Sequence, residues 1–322
     1  MAVNGRAVPV IVGPTASGKT AVALLLAELL GGAEIVSADS RQVFRHLDIG
    51  TAKPSLRERQ KVPHHFIDVV DPGSDFNAGE FGEKAREAVE GIFARGKIPV
   101  IVGGSGLYVR SLVDGFFEGP GADPEYREAL EERIRRGGLR ALIEELRVVD
   151  PLSASRIDPT KPRRIVRALE VYHATGVPLS SLQTGKRPDV KFTPHFYGLL
   201  WERAALYARI NRRCEEMLSG GLLEEAAGLE RLGYGRDLNA LNTVGYKEAF
   251  ACIHGEISRD EMLERFAQNT RRYAKRQMTW FRRDTRIVWL PVKDDAGLND
   301  AAAKIASDFH GAFENSRRLA EQ

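Results

Sequence analysis

The sequence predicts an open α/β fold, in which a parallel sheet carries helices on both faces and is interrupted by a helical insertion. Three observations carry this reading. Short apolar runs alternate with helix-length stretches over residues 8–102, the pattern of βαβ units whose strands are buried on both sides. After Gly119-Pro120 the alternation stops, and residues 123–175 read as helix throughout, dense in Arg and Glu. Strand-like runs then return at 192–200 and 286–290. The expected division is a core made of residues 1–119 and 194–322, with an insertion at 120–193.

The first strand, 8–12, runs into Gly13-Pro14-Thr15-Ala16-Ser17-Gly18-Lys19-Thr20, and a helix follows over 21–30, closed by Gly31-Gly32. Strand, G-x-x-x-x-G-K-[ST] loop and helix stand in the order a P-loop requires, so the core is expected to be P-loop NTPase-like. The glycines let backbone N–H groups point at phosphate oxygens, and the helix adds its positive end. Lys19 would neutralise the phosphates, and the Thr20 hydroxyl would hold Mg²⁺. A second strand, 34–39, brings Asp39 to the carboxyl edge of the sheet, where ligands bind in such folds.

Residues 64–70 read as a third strand. His64 and His65 would face opposite ways on it, cannot share a metal, and are expected to be structural. Asn77 with Glu80 predicts a capping-box start for a helix that runs to Gly96. A strand at 98–102 then leads into Gly103-Gly104-Ser105-Gly106-Leu107-Tyr108. Beyond the insertion and a Gly/Pro/Lys stretch at 184–188, helices are expected over 203–280 and again from about residue 294.

Apolar residues make up 43% of the 322, enough for a full core, and 28% are charged. The net charge of +3 is mild but unevenly spread. Between 161 and 191, Lys161, Arg163, Arg164, Arg167, Lys186, Arg187 and Lys191 stand against Glu170 and Asp189. Between 265 and 286, Arg265, Arg271, Arg272, Lys275, Arg276, Arg282, Arg283 and Arg286 stand against Asp284. Local basic surfaces on a nearly neutral chain imply a polyanionic partner held at a defined place. The two cysteines, Cys214 and Cys252, form no C-x-x-C pair, which excludes a cysteine zinc site and fits a reducing compartment. No stretch has the length of a membrane span or the layout of a signal peptide, so a cytoplasmic protein with no membrane partner is expected.

A P-loop by itself leaves kinases, NTPases and other diphosphate users open. The guanine-reading N/T-K-x-D sequence is absent, which argues against a GTPase. The strand at 98–102 ends in Gly103-Gly104-Ser105 and not in an acid, so the usual Walker-B arrangement is missing there. The well-placed carboxylate is Asp39. A carboxylate beside a bound diphosphate suits a transfer in which the diphosphate leaves and a nucleophile loses a proton. Lys19, the loop amides, Mg²⁺ and an arginine would stabilise the leaving group. On the residues alone, an ATP-using kinase and an RNA-binding protein with a disused loop remain open.

Several stretches resemble the bacterial tRNA dimethylallyltransferases, the IPP transferase family. They are the loop Gly13 to Thr20, Ser37-Ala38-Asp39-Ser40-Arg41-Gln42, Asp48-Ile49-Gly50-Thr51-Ala52-Lys53-Pro54, Gly103-Gly104-Ser105-Gly106-Leu107-Tyr108, Arg164-Ile165-Val166-Arg167, Val244-Gly245-Tyr246-Lys247-Glu248 and Lys275-Arg276-Gln277-Met278-Thr279-Trp280-Phe281. The resemblance implies that the loop binds dimethylallyl diphosphate instead of ATP. It further implies transfer of the dimethylallyl group to N6 of the adenine 3′ of the anticodon, in tRNAs reading codons that start with U.

By the same resemblance, Asp39 is the general base, and Asp39, Ser40, Arg41 and Gln42 contact the target base and its neighbours. Ser105, where the family usually has Thr, touches the reacting region or the tRNA. Arg127, with Arg163, Arg164, Ile165, Val166 and Arg167, falls where the family contacts tRNA, as do Gly245, Tyr246 and Lys247. Arg213, with Arg209 as the alternative, faces the diphosphate. Lys247-Glu248 stands where many members have Arg-Gln. A Mg²⁺-dependent monomer gripping a tRNA anticodon stem-loop is the expected form.

Overall fold

The computed structural model describes residues 6–116, 119–121, 123–184 and 189–320, the residues 310–320 by their backbone alone. Gly185-Lys186-Arg187-Pro188, and with it two cations of the first basic run, lies outside the described residues. The chain divides into two compact units, residues 1–113 with 190–322 and residues 114–189.

The larger unit opens with β1 (Ala7–Val12), α1 (Lys19–Leu30), β2 (Ala33–Ser37), α2 (Leu56–Lys61), β3 (His64–His65), α3 (Ala78–Ala94), β4 (Ile98–Gly103) and α4 (Gly106–Asp114). The smaller unit is helical: α5 (Pro124–Arg135), α6 (Leu139–Val149), α7 (Pro151–Arg156), α8 (Pro162–Thr175) and α9 (Leu179–Leu182). The larger unit resumes with β5 (Thr193–Trp201), α10 (Arg203–Ser219), α11 (Leu222–Arg231), α12 (Tyr246–Ile253), α13 (Arg259–Phe281), β6 (Val288–Val292) and α14 (Ala296–Ala320). The sheet has six strands in the order β3-β2-β4-β1-β5-β6, all parallel.

Every residue of β1 and β2 is buried, as expected for strands covered on both faces. Register then fixes where the site lies. Val12 pairs with Gly103 on one side and Gly198 on the other, and Ser37 pairs with Val102. The segments after β1, β2 and β4 therefore leave the sheet at one level and at neighbouring places. Glu34, buried in β2, is offset by Arg95, which grips it through two nitrogens, and by His65 Nε2 at 2.7 Å; the Arg95 bond leads in holding its carboxyl below the usual range.

Three expectations are corrected. The third strand is two residues long and not seven, because Phe66 and Asp68 take left-handed backbone angles (φ 64° and 58°) that end an extended run. The turn aims Asp68 at Lys53 and Arg59, at 2.5 and 2.6 Å. Asn77 caps α3 through Gly79 N–H and Glu80 N–H, but Glu80 bonds Lys84 and does not close a capping box. The stretch between α11 and α12 is not helical. His64 and His65 bond Val62 O and Glu34 respectively.

The insertion has its own core, built around Leu130, Leu142, Leu146, Ile165 and Leu169. Asp123 and Asp150 cap α5 and α7, each with proline at the first helical position. In its interior Glu170 receives Asp123 N–H, Arg127 and Arg167.

In the larger unit, one carboxylate gathers the start of the loop at 48–54. Glu225 of α11 accepts the N–H groups of Asp48, Ile49 and Gly50 at 2.8–3.1 Å, and the Tyr246 hydroxyl at 2.5 Å. Glu225→Ala should therefore lower stability by about 2–4 kcal/mol, since these donors lose their acceptor together. A urea melt checks this, and an unchanged midpoint would show that the loop does not depend on Glu225.

Candidate active site

The phosphate loop leaves β1 and turns into α1 with Ala16 and Gly18 in the left-handed region, φ 62° and 87°. A non-glycine residue there costs on the order of 1–2 kcal/mol, and outside contacts hold it in place. Arg209 Nε donates to Ala16 O at 3.0 Å, and Trp201 Nε1 donates to Ser17 O at 2.9 Å. Thr15 N–H donates to Gln277 Oε1 at 2.8 Å, while Gln277 Nε2 donates to Gly104 O at 2.9 Å. One side-chain amide on α13 thus ties the phosphate loop to the turn after β4.

Two cations converge on this loop. Lys19 Nζ donates to Pro14 O at 2.6 Å, and Arg213 Nη2 donates to Thr15 Oγ1 at 2.8 Å. Burial pulls the Lys19 ammonium down to about 8, against the attraction of Asp39 and with the help of Arg213. Burial also lowers the Arg213 guanidinium, with Cys214 and Asp39 opposing. Among the described residues neither cation makes an ion pair. Ser17 Oγ is fully buried in the same loop with no partner. Desolvated charge and an orphan hydroxyl are costly unless an anion completes them, so the loop is built for one.

Asp39 lies just beyond β2. Its Oδ1 accepts Arg41 N–H at 2.8 Å and Gln42 N–H at 3.4 Å, an Asx turn that sets the carboxylate's direction. Ser105 Oγ accepts Ser40 N–H at 3.0 Å and donates to Ser40 Oγ at 3.1 Å, joining the Asp39 turn to the turn after β4. The two turns meet closely enough that a Cβ on Gly103 would stand 2.2 Å from Ala38 O, so only glycine fits. Tyr273 of α13 adjoins Ser105, and burial with the nearby Asp39 charge pushes its phenol up to about 12. Burial raises the Tyr108 phenol above its usual range, with Arg41 opposing and Asp39 adding. Beside the cradle opens a solvent-facing groove of about 410 Å³, where apolar Ile49, Leu56 and Met217 stand with charged Asp48, Arg59, Arg213 and Glu216.

The remaining expected site residues divide clearly. Thr20 sits half-exposed in the first turn of α1. Arg209 is engaged by Ala16 O, by Asp295 at 2.5 Å and by the Trp201 ring at 4.4 Å, whereas among the described residues Arg213 hydrogen-bonds Thr15 alone. Arg41 Nη1 reaches Asn239 O at 2.6 Å. Gln42 donates its amide N–H groups to Thr51 O and Ala52 O and accepts from Ser37 Oγ, so its side chain props the 48–54 loop.

Tyr246 is corrected as an RNA contact, because its ring is fully buried and its hydroxyl is on Glu225. Gly245 is also buried, its N–H on Glu248; Lys247 beside it is exposed. In the insertion, the Ile165 and Val166 side chains lie in the core and cannot touch RNA. Arg163 and Arg164 are exposed, and Arg127 and Arg167 are half-buried on Glu170.

Gln277 and Tyr273 are the participants that motif reading assigned no role. A signal was present for Gln277: it is a polar residue in the buried stripe Ala267–Thr270–Ala274–Gln277–Phe281, where an apolar one would be cheaper.

A family model described as IPP transferase matches residues 42–284. The tRNA dimethylallyltransferase of Geobacter metallireducens is 48% identical over 90% of this chain and 94% of that protein. The corresponding enzyme of Desulforudis audaxviator is 46% identical over 92% and 95%. Among solved structures, the tRNA isopentenylpyrophosphate transferase of Bacillus halodurans covers 99% of this chain and 100% of its own at 37% identity, with a TM-score of 0.71. A eukaryotic dimethylallyltransferase acting on tRNA superimposes over 95% of this chain and 80% of its own, at 27% identity and a TM-score of 0.82.

Two measurements test the cradle. Gln277→Leu leaves Thr15 N–H and Gly104 O unpaired, and affinity for inorganic diphosphate should fall at least about fivefold in calorimetric titration. An unchanged affinity would mean the loop holds its shape without the clamp. An anion favours the charged ammonium, so binding raises the Lys19 pKa and takes up a proton. Affinity should therefore weaken as pH rises through about 8. Subtracting the pH profile of Lys19→Met removes the ligand's own ionisation, and parallel profiles would refute a titrating Lys19.

Proposed function

The chain belongs to the IPP transferase family, and on that premise we propose that it transfers a dimethylallyl group from dimethylallyl diphosphate to N6 of the adenine 3′ of a tRNA anticodon. The observation that carries the reading is the pair of desolvated cations, Lys19 and Arg213, around a P-loop whose nearby carboxylate is Asp39. A carboxylate at this place suits proton removal from an acceptor, and membership of the IPP transferase family makes that acceptor an exocyclic amine and not the hydroxyl of a kinase substrate.

In the reaction the bond between the allylic carbon and the diphosphate oxygen breaks, with the electron pair leaving on the diphosphate. A bond forms from N6 to that carbon, and N6 gives up a proton. The loop amides, Lys19 and Arg213 take the growing negative charge, a term that usually dominates such transfers. Lys19 uses one of its three N–H donors on Pro14 O and keeps two for the diphosphate, and Arg213 reaches it from Thr15. Asp39, oriented by Arg41 and Gln42 N–H groups, takes the N6 proton on its second oxygen. Ser105 and Tyr273 hold the Asp39–Ser40 turn at the acceptor side. The open groove beside Arg213 carries apolar surface from Ile49, Leu56 and Met217 against which the allylic chain could lie.

The donor set fits Mg²⁺ as a metal carried by the diphosphate. Among the described residues no group of three His, Cys, Asp or Glu could hold an ion alone. The Thr20 hydroxyl would supply one protein oxygen, with phosphate oxygens and water completing the shell. When bound, the metal would add further neutralisation of the leaving group. No helix among the described residues is long and apolar enough to cross a membrane. We take the enzyme to act as a cytoplasmic monomer on the anticodon stem-loops of tRNAs reading codons that start with U.

Incubation with Mg²⁺, tRNA and dimethylallyl diphosphate, followed by nuclease digestion and mass spectrometry, should yield a prenylated adenosine; its absence would refute the activity. Asp39→Asn should lower kcat by roughly 10²–10⁴-fold while diphosphate binding persists. Full turnover in that variant would remove Asp39 from the role of base.

A further inference from the structure

We propose that Lys53 is a positioning residue for the reaction: its ammonium locks the segment that aims the Asp39 carboxylate at the acceptor amine. The assignment rests on the transfer reading above and adds the residue that keeps its base in line.

Lys53 stands in the stretch Asp48 to Pro54, and its side chain keeps 2% of its surface in water. An ammonium this deep is costly unless its three N–H groups find acceptors. Here they do: Nζ donates to Phe44 O at 2.7 Å, to Asp48 Oδ1 at 2.8 Å and to Asp68 Oδ1 at 2.5 Å. One nitrogen thus ties together three places in the chain. Against the pull of burial, the bonds from Lys53 and Arg59 hold the Asp68 carboxyl below its usual range. The backbone around this nitrogen is strained. Among the described residues five that are not glycine have left-handed φ, and four of them, His46, Ala52, Phe66 and Asp68, lie in the segments that Lys53 joins. Such angles persist only where surrounding contacts impose them, and they gather where a site needs a fixed shape.

The strained segments lead to Asp39. Every carbonyl from Arg41 to Phe44 has a donor: Arg41 O accepts Phe44 N–H, Gln42 O accepts Asp68 N–H, Val43 O accepts the N–H groups of Val69 and Val70, and Phe44 O accepts Lys53. Three of those donors belong to residues 68–70, the turn that the ammonium holds through the Asp68 carboxylate. The same segment presents the N–H groups of Arg41 and Gln42 to Asp39 Oδ1. The Gln42 amide also reaches Thr51 O and Ala52 O, next to Lys53. Loss of the ammonium would therefore free the 66–70 turn and the 48–54 loop together, and the carboxylate would lose its direction. The phosphate loop would keep its form, because Trp201, Arg209 and Gln277 hold it from elsewhere.

The test measures single-turnover prenylation of tRNA at saturating substrate, with Lys53→Met made in the wild-type protein and in Asp39→Asn. In the wild-type background Lys53→Met should slow the step about tenfold to a hundredfold, as misplacing a catalytic group by an ångström does. Calorimetric affinity and stoichiometry for inorganic diphosphate should stay unchanged. In Asp39→Asn the same substitution should slow the step little further, because a residue that acts through another adds no loss once that one is disabled. Asp68→Asn keeps the side-chain shape while weakening the grip of the same nitrogen; it should repeat the pattern, and it decides the matter if Lys53→Met does not fold. An equal loss in both backgrounds, or a loss of diphosphate affinity alongside the rate, would make Lys53 a support of the fold alone and overturn the assignment, as would a wild-type rate in Lys53→Met. If wild-type protein prenylates tRNA in those cases, only the role of Lys53 fails; if it does not, the activity itself fails.

Discussion

Positive charge partly withdrawn from water is the constraint on which the rest of this site depends. Lys19 and Arg213 are both half-buried, crowding lowers both pKa values, and among the described residues neither has a carboxylate in contact. A partly desolvated charge without an ionic partner is costly, so the fold must offset that cost elsewhere or the ligand must. The fold supplies part of it at short range. Pro14 O and Thr15 Oγ1 accept from the two cations, and Asp39 attracts both from across the site. Those partners are weak for full charges, and an incoming diphosphate is a stronger one. The arrangement therefore trades stability of the empty protein for affinity toward an anion, and a loop under that load must be held from outside.

The outside supports come from far along the chain. Trp201 and Arg209 hold the carbonyls of Ser17 and Ala16, and Gln277 holds the amide of Thr15. Sheet register explains how they arrive together, since Val12 is flanked by Gly103 and Gly198 and the next residues of each strand end at one edge. Gln277 has two partners on different loops, so displacement of either loop breaks a buried hydrogen bond. Donor and acceptor sides of the reaction are consequently positioned by the same helix, α13.

The fold and half of the site were legible in the sequence for a simple reason: they depend on local pattern. The P-loop lies within eight consecutive residues, and Asp39 follows a buried strand, so both could be placed from spacing alone. The insertion was legible as a stretch of unbroken helix periodicity. What was not legible depends on pairs far apart in the chain. Nothing near Gln277 shows that it meets Thr15, and nothing near Tyr246 shows that Glu225 buries its hydroxyl. Motif membership alone also made Tyr246, Ile165 and Val166 look like contacts, whereas their place in the core makes them supports. The short third strand was missed because two left-handed residues, Phe66 and Asp68, sit in a sequence that is otherwise strand-like.

Burial also accounts for two places where this chain departs from the usual family pattern. Ser105 keeps both bonds to Ser40 through its hydroxyl, so the contact that joins the two turns needs no methyl group. Glu248 is buried, and its two oxygens accept different donors, Gly245 N–H at 2.7 Å and Asn269 Nδ2 at 2.7 Å. A carboxylate satisfies both at once, while an amide offers one acceptor and would require the Asn269 side chain to turn its oxygen inward. Position 248 is therefore answerable to the start of α12 and to its neighbour on α13, and its chemistry is that of a cap. Lys247 next to it stays exposed and free to meet an anion, which separates the two halves of one motif into a support and a contact.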